Sequence, residues 1–502
     1  MSETIREAIA DDGSKYPFVD KGSPAARGGM KDIYFAPDKT YAVAFFRTTP
    51  QDKGLERLEK IVGKYRRAIF EENPDEGKFW EKLFCWPQKI VTWDDKTGYV
   101  MPFYPKNFFF SEGRMANKEK NSRWFLEGAH FNRVLTDVKR TGGQEQSALK
   151  NYLHVCWKLA CAIRRLHQAG MAHSDISYNN YLVSPKDYQA YLIDLDGLVI
   201  PDEYKPDVAG SPDFTAPEVL KTRSLPLDDP NRQLPSHKTD RHALAVLLYM
   251  HLFHRHPLKG DQFFSANPDE QVAIQMSSGA LFVEHPTDDR NRVRFPAEHA
   301  QPWSDPATIP YETAGPELAA LFRQAFVDGL HDPDKRPSAA QWEKALFHAF
   351  DLCLPCSGQH CPKKGFIFDP SSNAKPTCPY CGTPYVYQIP IFEFYTTPAG
   401  LNNYRPENRR LVVTPMQPLY VWHAQRYLEP NEKLPDDQLA PVGYVSFHKG
   451  RWVLVNQTLP HMRNLSDGQD VPPNSSLQLR DGLELLLHPG AEGRKVVVRM
   501  IS

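Results

Sequence analysis

Two neighbouring stretches decide the fold of this chain. They read His-Ser-Asp-Ile-Ser-Tyr-Asn-Asn over residues 173–180 and Tyr-Leu-Ile-Asp-Leu-Asp-Gly over residues 191–197. The first carries a carboxylate, Asp175, and an amide, Asn180. The second is an apolar run that ends in another carboxylate, Asp194. Phosphoryl transfer from ATP requires these groups, a carboxylate near the acceptor hydroxyl and oxygen ligands for magnesium.

The pattern around Asp175 resembles the catalytic loop of protein kinases, His-Arg-Asp followed at a fixed distance by Asn. The resemblance implies that Asp175 is the base or the carboxylate that orients the acceptor hydroxyl. It also implies that Asn180 and Asp194 hold magnesium. The resemblance covers residues 16–350. Within that range, three segments come after the Asp175 loop in the same order as in the family. They are an Ala-Pro-Glu segment ending at Glu218, an apolar helix that carries Asp240, and a late turn with Arg336.

Several departures from the family pattern matter. Ser174 replaces the arginine that binds a phosphate on the activation loop in the family. Regulation of the activation loop by phosphorylation is therefore in doubt. Phe46 occupies the place of the strand lysine, and Arg47 should point to the other face because strand side chains alternate. Lys31 stands in a glycine–x–Lys–x–aliphatic–Tyr context similar to that of the with-no-lysine kinases. Lys31 is therefore predicted to contact the ATP phosphates, the alternative being a solvated strand lysine. Asp196 is an additional metal or structural ligand.

The same resemblance places ATP between a glycine-bearing turn and a hinge. The predicted nucleotide-contacting residues besides Lys31, Asn180 and Asp194 are Gly22, Gly28, Gly29, Met101 and Phe103. In the family a helix glutamate pairs with the lysine. Four glutamates compete for that position, and the sequence leaves the choice open among Glu59, Glu71, Glu72 and Glu76.

A cysteine cluster follows the kinase-like region. Five of the eight cysteines lie within residues 353–381, which in a reducing compartment indicates metal binding more than disulfides. Zinc takes four soft or borderline ligands in a tetrahedron, and two short pairs of cysteines supply them. The predicted ligands of this structural zinc are Cys356, Cys361, Cys378 and Cys381. Cys353 and His360 are nearby, but Cys353 is interpreted as the end of the preceding helix. The alternative is a set of unligated thiols in a loop.

The pattern of apolar and turn residues changes after residue 388. Short Val, Leu and Tyr runs separated by turn residues predict an all-β domain. Residues 452–456 and 477–485 resemble the later strands of forkhead-associated (FHA) domains. The Gly-Arg pair and Ser-x-x-His motif with which those domains bind phosphothreonine are not clean here. The alternative role is a β-sandwich used for docking or packing.

The predicted fold class is α+β, a two-lobed protein kinase-like fold followed by a small zinc ribbon and an all-β, FHA-like sandwich. The first lobe comprises residues 1–104, with residues 1–15 as a flexible tail. The second lobe comprises residues 105–350. The zinc ribbon comprises residues 351–388, and the β domain residues 389–502.

The bulk properties exclude some partners. The formal net charge is −1, so the chain has no overall positive charge that would attract nucleic acid or an anionic membrane. The N-terminus lacks the basic start and apolar stretch of a signal peptide. The longest strongly apolar run, residues 243–250, is far shorter than a membrane-spanning helix needs. We therefore expect a cytoplasmic protein without nucleic-acid or membrane partners.

The sequence predicts an ATP- and Mg²⁺-dependent (or Mn²⁺-dependent) serine/threonine protein kinase of bacterial character, with possible autophosphorylation. The domain arrangement also resembles kinases of bacterial phosphorylation triads. That analogy implies a von Willebrand A-type protein and a PP2C-type phosphatase as partners. Two alternatives stay open. One is a pseudokinase scaffold that binds nucleotide and partner proteins without transfer, and the other is a kinase-like small-molecule phosphotransferase.

Overall fold

The structure, a computed structural model, divides into two compact units. The first contains residues 1–146, 151–311 and 320–344, and the second contains residues 147–150, 312–319 and 345–502. The residues described are 4–48, 50, 52–112, 115–123, 148–184, 187–201, 203–204, 210–294, 305–372, 375–397 and 403–501.

The first unit begins with a seven-stranded antiparallel sheet. Its strands are β1 (Thr4–Ala10), β2 (Lys15–Asp20), β3 (Ala26–Arg27), β4 (Lys31–Phe35), β5 (Tyr41–Phe46), β6 (Lys89–Trp93) and β7 (Lys96–Pro102). Their spatial order is β2-β1-β6-β7-β5-β4-β3. Short apolar runs separated by turn residues over residues 32–47 and 89–104 predict two hairpins, and both are confirmed. Aromatic and aliphatic residues alternate along these strands and fill the layers on both faces of the sheet.

The predicted flexible tail over residues 1–15 is wrong, because residues 4–10 form strand β1 and Lys15 begins β2. This strand pairs with β2 along its length and with β6 through its last residues. Ala8 and Ala10 of β1 are buried, and Phe18 of β2 is fully buried against the ring of Tyr34. A strand with one solvated face needs an apolar residue only at every second position, so the polar composition of this segment concealed it.

Three short helices connect β5 to β6. They are α1 (Asp52–Lys60), α2 (Arg66–Phe70) and α3 (Pro74–Glu81). Apolar residues recur at helical spacing over residues 51–70 and predict a single helix, but a π-helical turn at Ile61–Tyr65 interrupts it. Helix α3 was not predicted. Its start is well marked, because Asn73 caps it by accepting a hydrogen bond from the Glu76 N–H and proline follows at the first helical position.

The second lobe is mainly helical. Its helices and strands are α4 (Leu149–Gln168), β8 (Tyr181–Ser184), β9 (Gln189–Leu192), α5 (Pro217–Thr222), α6 (His237–Phe253), α7 (Pro268–Gln275), α8 (Pro316–Arg323) and α9 (Ala339–Asp351). Helical spacing of apolar residues over residues 147–170, 238–253, 314–329 and 338–352 predicts four helices, and these correspond to α4, α6, α8 and α9. Helix α6 is buried along most of its length and begins with a capping box between Ser236 and Thr239. Within the described ranges, no helix has the length and apolar character needed to span a membrane.

The second unit carries the cysteine cluster, a two-stranded ribbon of β10 and β11, and two larger β-sheets. Its elements after α9 are β10 (Cys353–Pro355), β11 (Gly365–Ile367), β12 (Ile389–Thr396), β13 (Arg405–Val412), β14 (Gln417–Leu419), α10 (Val421–Ala424), β15 (Gly443–His448), β16 (Arg451–Asn456), β17 (Arg463–Asn464), β18 (Gln469–Asp470), β19 (Ser475–Gln478), β20 (Glu484–Leu486) and β21 (Arg494–Ile501). The sheets are ordered β13-β12-β21-β20-β17-β18 and β14-β15-β16-β19. One apolar core joins Phe394 and Leu411 of the first sheet to Val445 and Leu454 of the second.

Candidate active site

Asp175 lies in the loop between α4 and β8, and its carboxylate is held from two sides. The side-chain amide of Asn180 donates to Asp175 Oδ2 at 2.7 Å and to its main-chain oxygen at 2.9 Å. The backbone N–H and the hydroxyl of Ser211 donate to Asp175 Oδ1 at 2.8 and 3.0 Å. The carboxylate therefore has a fixed orientation and already accepts a hydrogen bond from an aliphatic hydroxyl.

The loop itself is braced by Asp240 of the buried helix α6, as the kinase resemblance implies. The Asp240 carboxylate accepts hydrogen bonds from the backbone N–H groups of His173 at 2.7 Å and Ser174 at 3.0 Å. Ser174 has a left-handed φ of 69°, an uncommon conformation for a residue with a side chain. Hydrogen bonds to a buried carboxylate stabilise this conformation next to Asp175.

The late turn and the Ala-Pro-Glu segment also meet. Arg336 donates from two nitrogens to the two oxygens of Glu218, at 2.8 Å each. The Arg336 side chain is 1% exposed, and it also donates to backbone oxygens of the turn around Gly329. Two parallel charge-assisted bonds fix both position and orientation. This pair anchors the segment that carries Ser211 to the body of the second lobe.

The register of the first sheet explains how Lys31 reaches the cleft. Lys31 of β4 lies directly opposite Phe46 of β5, and directly opposed residues of an antiparallel pair share a face. Lys31 therefore projects from the face on which a lysine at position 46 would project. Arg47 is directed to the other side, where its Nε lies 3.5 Å from Asp32 Oδ1. Only 13% of the Lys31 side chain is exposed, which differs from a solvated strand lysine.

The Lys31 ammonium lies among three oxygen groups. Its Nζ is 2.7 Å from Asp194 Oδ1, 2.6 Å from Asp196 Oδ1 and 3.2 Å from the Tyr99 hydroxyl. Burial would lower the pKa of Lys31, but Tyr99, Asp196 and Asp194 together raise it well above its usual value. Burial likewise opposes ionisation of Asp194, and the Lys31 charge outweighs it and lowers the pKa of that carboxyl. The site thus holds a stable cation beside an ionised carboxylate.

The oxygens of this site fit a magnesium ion. Asp194 follows β9 with a left-handed φ of 62°, and its side chain is 49% exposed. The amide nitrogen of Asn180 is committed to Asp175, so its Oδ1 is the atom that can face a metal. Carboxylate and amide oxygens are hard ligands of the kind that Mg²⁺ prefers.

The predicted glycine loop is split in the structure. Gly28 and Gly29 lie in the turn between β3 and β4, separated from Lys31 only by Met30, and a Cβ added at Gly29 would meet nothing within 4 Å. That side of the turn is open. Gly22 belongs to the preceding turn, where its φ is +77° and its N–H donates to the Asp20 carboxylate at 2.8 Å. Gly28 and Gly29 thus lie beside Lys31 in the chain, whereas Gly22 is part of a separate turn.

The two predicted hinge residues lie at the end of β7. Met101 pairs with Ala42 of β5 and is buried in the apolar layer on one face of the sheet. The Phe103 N–H donates to the Thr40 main-chain oxygen at 3.3 Å, and its ring packs against Phe35. These residues place apolar side chains at the end of β7, the strand that also carries Tyr99.

The carboxylate partner of Lys31 is not among the four competing glutamates. Within the described ranges, none of them makes a hydrogen bond or ion pair with Lys31. Glu71 pairs with Arg66, and Glu76 bonds to the cap residue Asn73. Asp196 was singled out in the sequence as an additional ligand, but its contact with Lys31 was not foreseen. Tyr99 was missed, since nothing distinguishes it from other aromatic strand residues.

His256, in the loop after α6, is hydrogen-bonded to the segment that follows Ser211. Protonation of its ring should break part of this arrangement. Its Nδ1 accepts from the Leu258 N–H at 3.1 Å, and its Nε2 donates to the Asp213 carbonyl at 2.9 Å. A second proton would remove the acceptor. Burial lowers the pKa of His256 from 6.5 to about 4.

We expect His256 to make folding acid-sensitive. Between about pH 6.5 and pH 4 the unfolded chain binds a proton at this residue that the folded chain does not, so its contribution to stability is complete above pH 6.5 and lost as pH falls. His256→Gln should flatten the pH dependence of the free energy of unfolding, measured by urea titration at pH 7 and pH 4.5. His461→Gln, at an exposed position, is the control. Parallel pH profiles for His256→Gln and the wild type would contradict the assignment.

The second unit brings four cysteines together as a candidate metal centre. The group consists of Cys356, Cys361, Cys378 and Cys381, whose sulfurs all lie within 4.8 Å of one another. The Cys356–Cys381 and Cys361–Cys378 sulfurs are 3.4 and 3.7 Å apart. Tetrahedral zinc with Zn–S bonds of about 2.3 Å places its sulfurs roughly 3.8 Å apart, so the cluster is compatible with zinc.

The surroundings of the sulfurs agree with this use. The Gly358 N–H donates to Cys356 Sγ at 3.3 Å, and a Cβ at Gly358 would come within 2.9 Å of Cys381 Sγ. Gly382, directly after the second pair, has a φ of +71° and closes the turn by donating to the Cys378 carbonyl. Cys353 lies outside the group as a buried residue of β10.

Comparison with known proteins gives a match to one family model and similarities to solved structures. Residues 115–348 match the family model described as protein kinase domain. No curated protein matches the chain. Among solved structures, it is similar to a Toxoplasma gondii specific rhoptry antigen kinase domain at 13% identity, covering 68% of this chain and 85% of that chain, with a TM-score of 0.39. A rhoptry kinase from Toxoplasma gondii is similar at 13% identity, covering 68% of this chain and 81% of that chain, with a TM-score of 0.38.

The predicted fold class is confirmed at this level. The chain has a two-lobed, protein kinase-like α+β fold, with further all-β sheets in its C-terminal region. The family match supports phosphotransfer of the kinase type, with ATP and a divalent metal in general terms. The FHA likeness and the four domain boundaries stay predictions.

Proposed function

We propose that this protein is an ATP- and Mg²⁺-dependent serine/threonine protein kinase. The observation that carries the proposal is the convergence of Lys31 and Asp194, which lie 163 residues apart in the chain and meet at 2.7 Å. In the second lobe, Asp175 and Asn180 are joined at 2.7 Å in the loop that precedes β8. A cation for phosphate, oxygens for metal and a carboxylate for the acceptor are the parts that phosphoryl transfer uses.

Each side chain has a separate role in this proposal. Lys31 contacts the ATP phosphates, and Asn180 and Asp194 hold magnesium, which supplies charge neutralisation at the phosphates when it is bound. Asp175 orients the acceptor hydroxyl and takes its proton. The Ser211 hydroxyl, 3.0 Å from Asp175 Oδ1, occupies a position in which an aliphatic acceptor hydroxyl could be received. This contact supports Ser or Thr as the acceptor class.

The remaining parts of the proposal rest on the sequence. Gly28, Gly29, Met101 and Phe103 enclose the nucleotide, with Gly22 in the preceding turn. The four-cysteine cluster holds a structural zinc, because four protein ligands leave no position for a reacting water. Acceptor proteins of the von Willebrand A type and a PP2C-type phosphatase are the proposed partners, by analogy with bacterial phosphorylation triads.

The second candidate is a pseudokinase scaffold. One observation favours it: Ser211 and Asn180 occupy three hydrogen-bonding positions of the Asp175 carboxylate, and Lys31 occupies an oxygen of Asp194. Both carboxylates must exchange partners before transfer. The discriminating property is metal-dependent turnover, since a scaffold can bind ATP without transferring phosphate.

The test is incorporation of labelled γ-phosphate from ATP, with Mg²⁺ or Mn²⁺, into the protein itself and a generic basic substrate. We expect Lys31→Met to lower the affinity for ATP by roughly 10-fold or more, since it removes a charge-assisted contact to phosphate. Lys53→Met, at an exposed position of α1, should bind and turn over ATP as the wild type does. Unchanged nucleotide affinity and turnover in Lys31→Met would refute the lysine assignment. Absence of transfer by folded, zinc-loaded wild type would favour the scaffold.

A further inference from the structure

The two carboxylates around Lys31 differ in exposure. Asp196 is 9% exposed and Asp194 is 49% exposed, although each lies within 2.7 Å of the Lys31 Nζ. The Tyr99 hydroxyl donates to Asp196 Oδ1 at 2.7 Å, the same oxygen that accepts from Lys31. Lys31, Asp196 and Tyr99 therefore form a closed triangle inside the site, with Asp194 at its solvent-facing side.

A lysine that meets phosphate has to be held in place by a second charge. In protein kinases this charge is a helix glutamate, and the pair must be intact for activity. Here Asp196 follows β9, in the same loop as Asp194, and Tyr99 belongs to β7. The segment between β5 and β6 instead has Glu59, Glu71 and Glu72 exposed.

We propose that Asp196, held by Tyr99, is the positioning carboxylate for Lys31 and replaces a helix glutamate. The inference rests on the proposed function, because it gives Lys31 a phosphate to meet. A metal can bind the exposed Asp194 while Lys31 remains paired with the buried Asp196. The position of Lys31 is then set by the metal-binding loop itself. In protein kinases, movement of the glutamate-bearing helix separates lysine from glutamate, and no such movement would break the pair of Lys31 and Asp196.

The inference is tested by ATP binding to the full-length protein, measured with and without magnesium. Asp196→Asn keeps the size of the side chain and removes its charge. Lys31 then pairs with Asp194 alone and competes with the metal. We expect ATP affinity to fall roughly 10- to 150-fold, the range for a hydrogen bond to a charged group. The magnesium concentration at half-maximal binding should rise, a change that a purely structural role would not produce.

A second variant and a control make the result decisive. Tyr99→Phe removes one hydroxyl and should reduce ATP affinity roughly 2- to 10-fold. It also decides the matter if Asp196→Asn does not fold. Glu59→Gln and Glu76→Gln should bind ATP as the wild type does. Wild-type affinity and magnesium dependence in Asp196→Asn and Tyr99→Phe, or an equal loss in a glutamate variant, would overturn the inference.

The same measurements separate this inference from the proposed function. A wild type that binds ATP but transfers no phosphate would refute the kinase proposal, while the binding comparison would still decide the role of Asp196. A wild type that does not bind ATP would refute both.

Discussion

Asp175→Asn should reduce phosphate transfer by about 10²- to 10⁴-fold, the usual contribution of a positioned general base. Asparagine retains an oxygen that can accept from Ser211, but it cannot take a proton from the acceptor. Its amide would also face the amide of Asn180, which now donates to Asp175 Oδ2 at 2.7 Å. ATP affinity should stay at the wild-type value, because the nucleotide is bound by the Lys31 side of the cleft. The measurement is single-turnover transfer of labelled γ-phosphate.

The matched control for Asp175 is Asp289→Asn, which neutralises an exposed carboxylate of the same lobe. It should transfer phosphate at the wild-type rate. Asp175→Ala distinguishes loss of the base from the new amide contact, since alanine makes neither. If Asp175→Asn and Asp175→Ala both transferred phosphate at the wild-type rate, Asp175 would not be the base.

Removing one zinc ligand should have the largest effect on stability. Structural zinc contributes about 10 kcal/mol or more to the folding of small cysteine modules. Cys378→Ser should therefore abolish bound zinc and unfold the cysteine-bearing segment of the second unit. In the wild type we expect about one zinc per chain. Elemental analysis gives the metal content, and thermal unfolding with and without chelator gives the stability.

Cys353→Ala is the matched control for the zinc ligands. Cys353 is a buried cysteine close in sequence to the cluster but outside the group of four sulfurs. Its replacement should cost some packing energy and leave the zinc content unchanged. Zinc that persisted in Cys378→Ser, or disappeared in Cys353→Ala, would show that the ligand set is wrong.

The parts of the site that sequence reasoning found were those encoded locally. Asp175 and Asn180 lie in one short loop, and the spacing between them indicates their chemistry. Lys31 was singled out because Phe46 stands in place of the strand lysine and because the residues around Lys31 resemble the glycine–x–Lys–x–aliphatic–Tyr context of the with-no-lysine kinases. The cysteine pairs are likewise short-range patterns.

The parts that were missed depend on distant contacts or on packing. Asp196 is 165 residues from Lys31, and Tyr99 is 97 residues from Asp196, so only the folded chain joins them. Strand β1 was missed because its stability comes from pairing with β2 and β6, and not from its own composition. The π-helical turn between α1 and α2 has no signal in the apolar periodicity.

Strand β1 has a further consequence for how the first lobe meets other molecules. It covers the free edge of β6, and the sheet then ends at β2, which carries Pro17 and charged residues at both ends. The opposite edge is β3, which is only two residues long. Proline, charges and short length all discourage backbone pairing with a foreign strand. A partner of this lobe is therefore expected to recognise side chains, and not to extend the sheet.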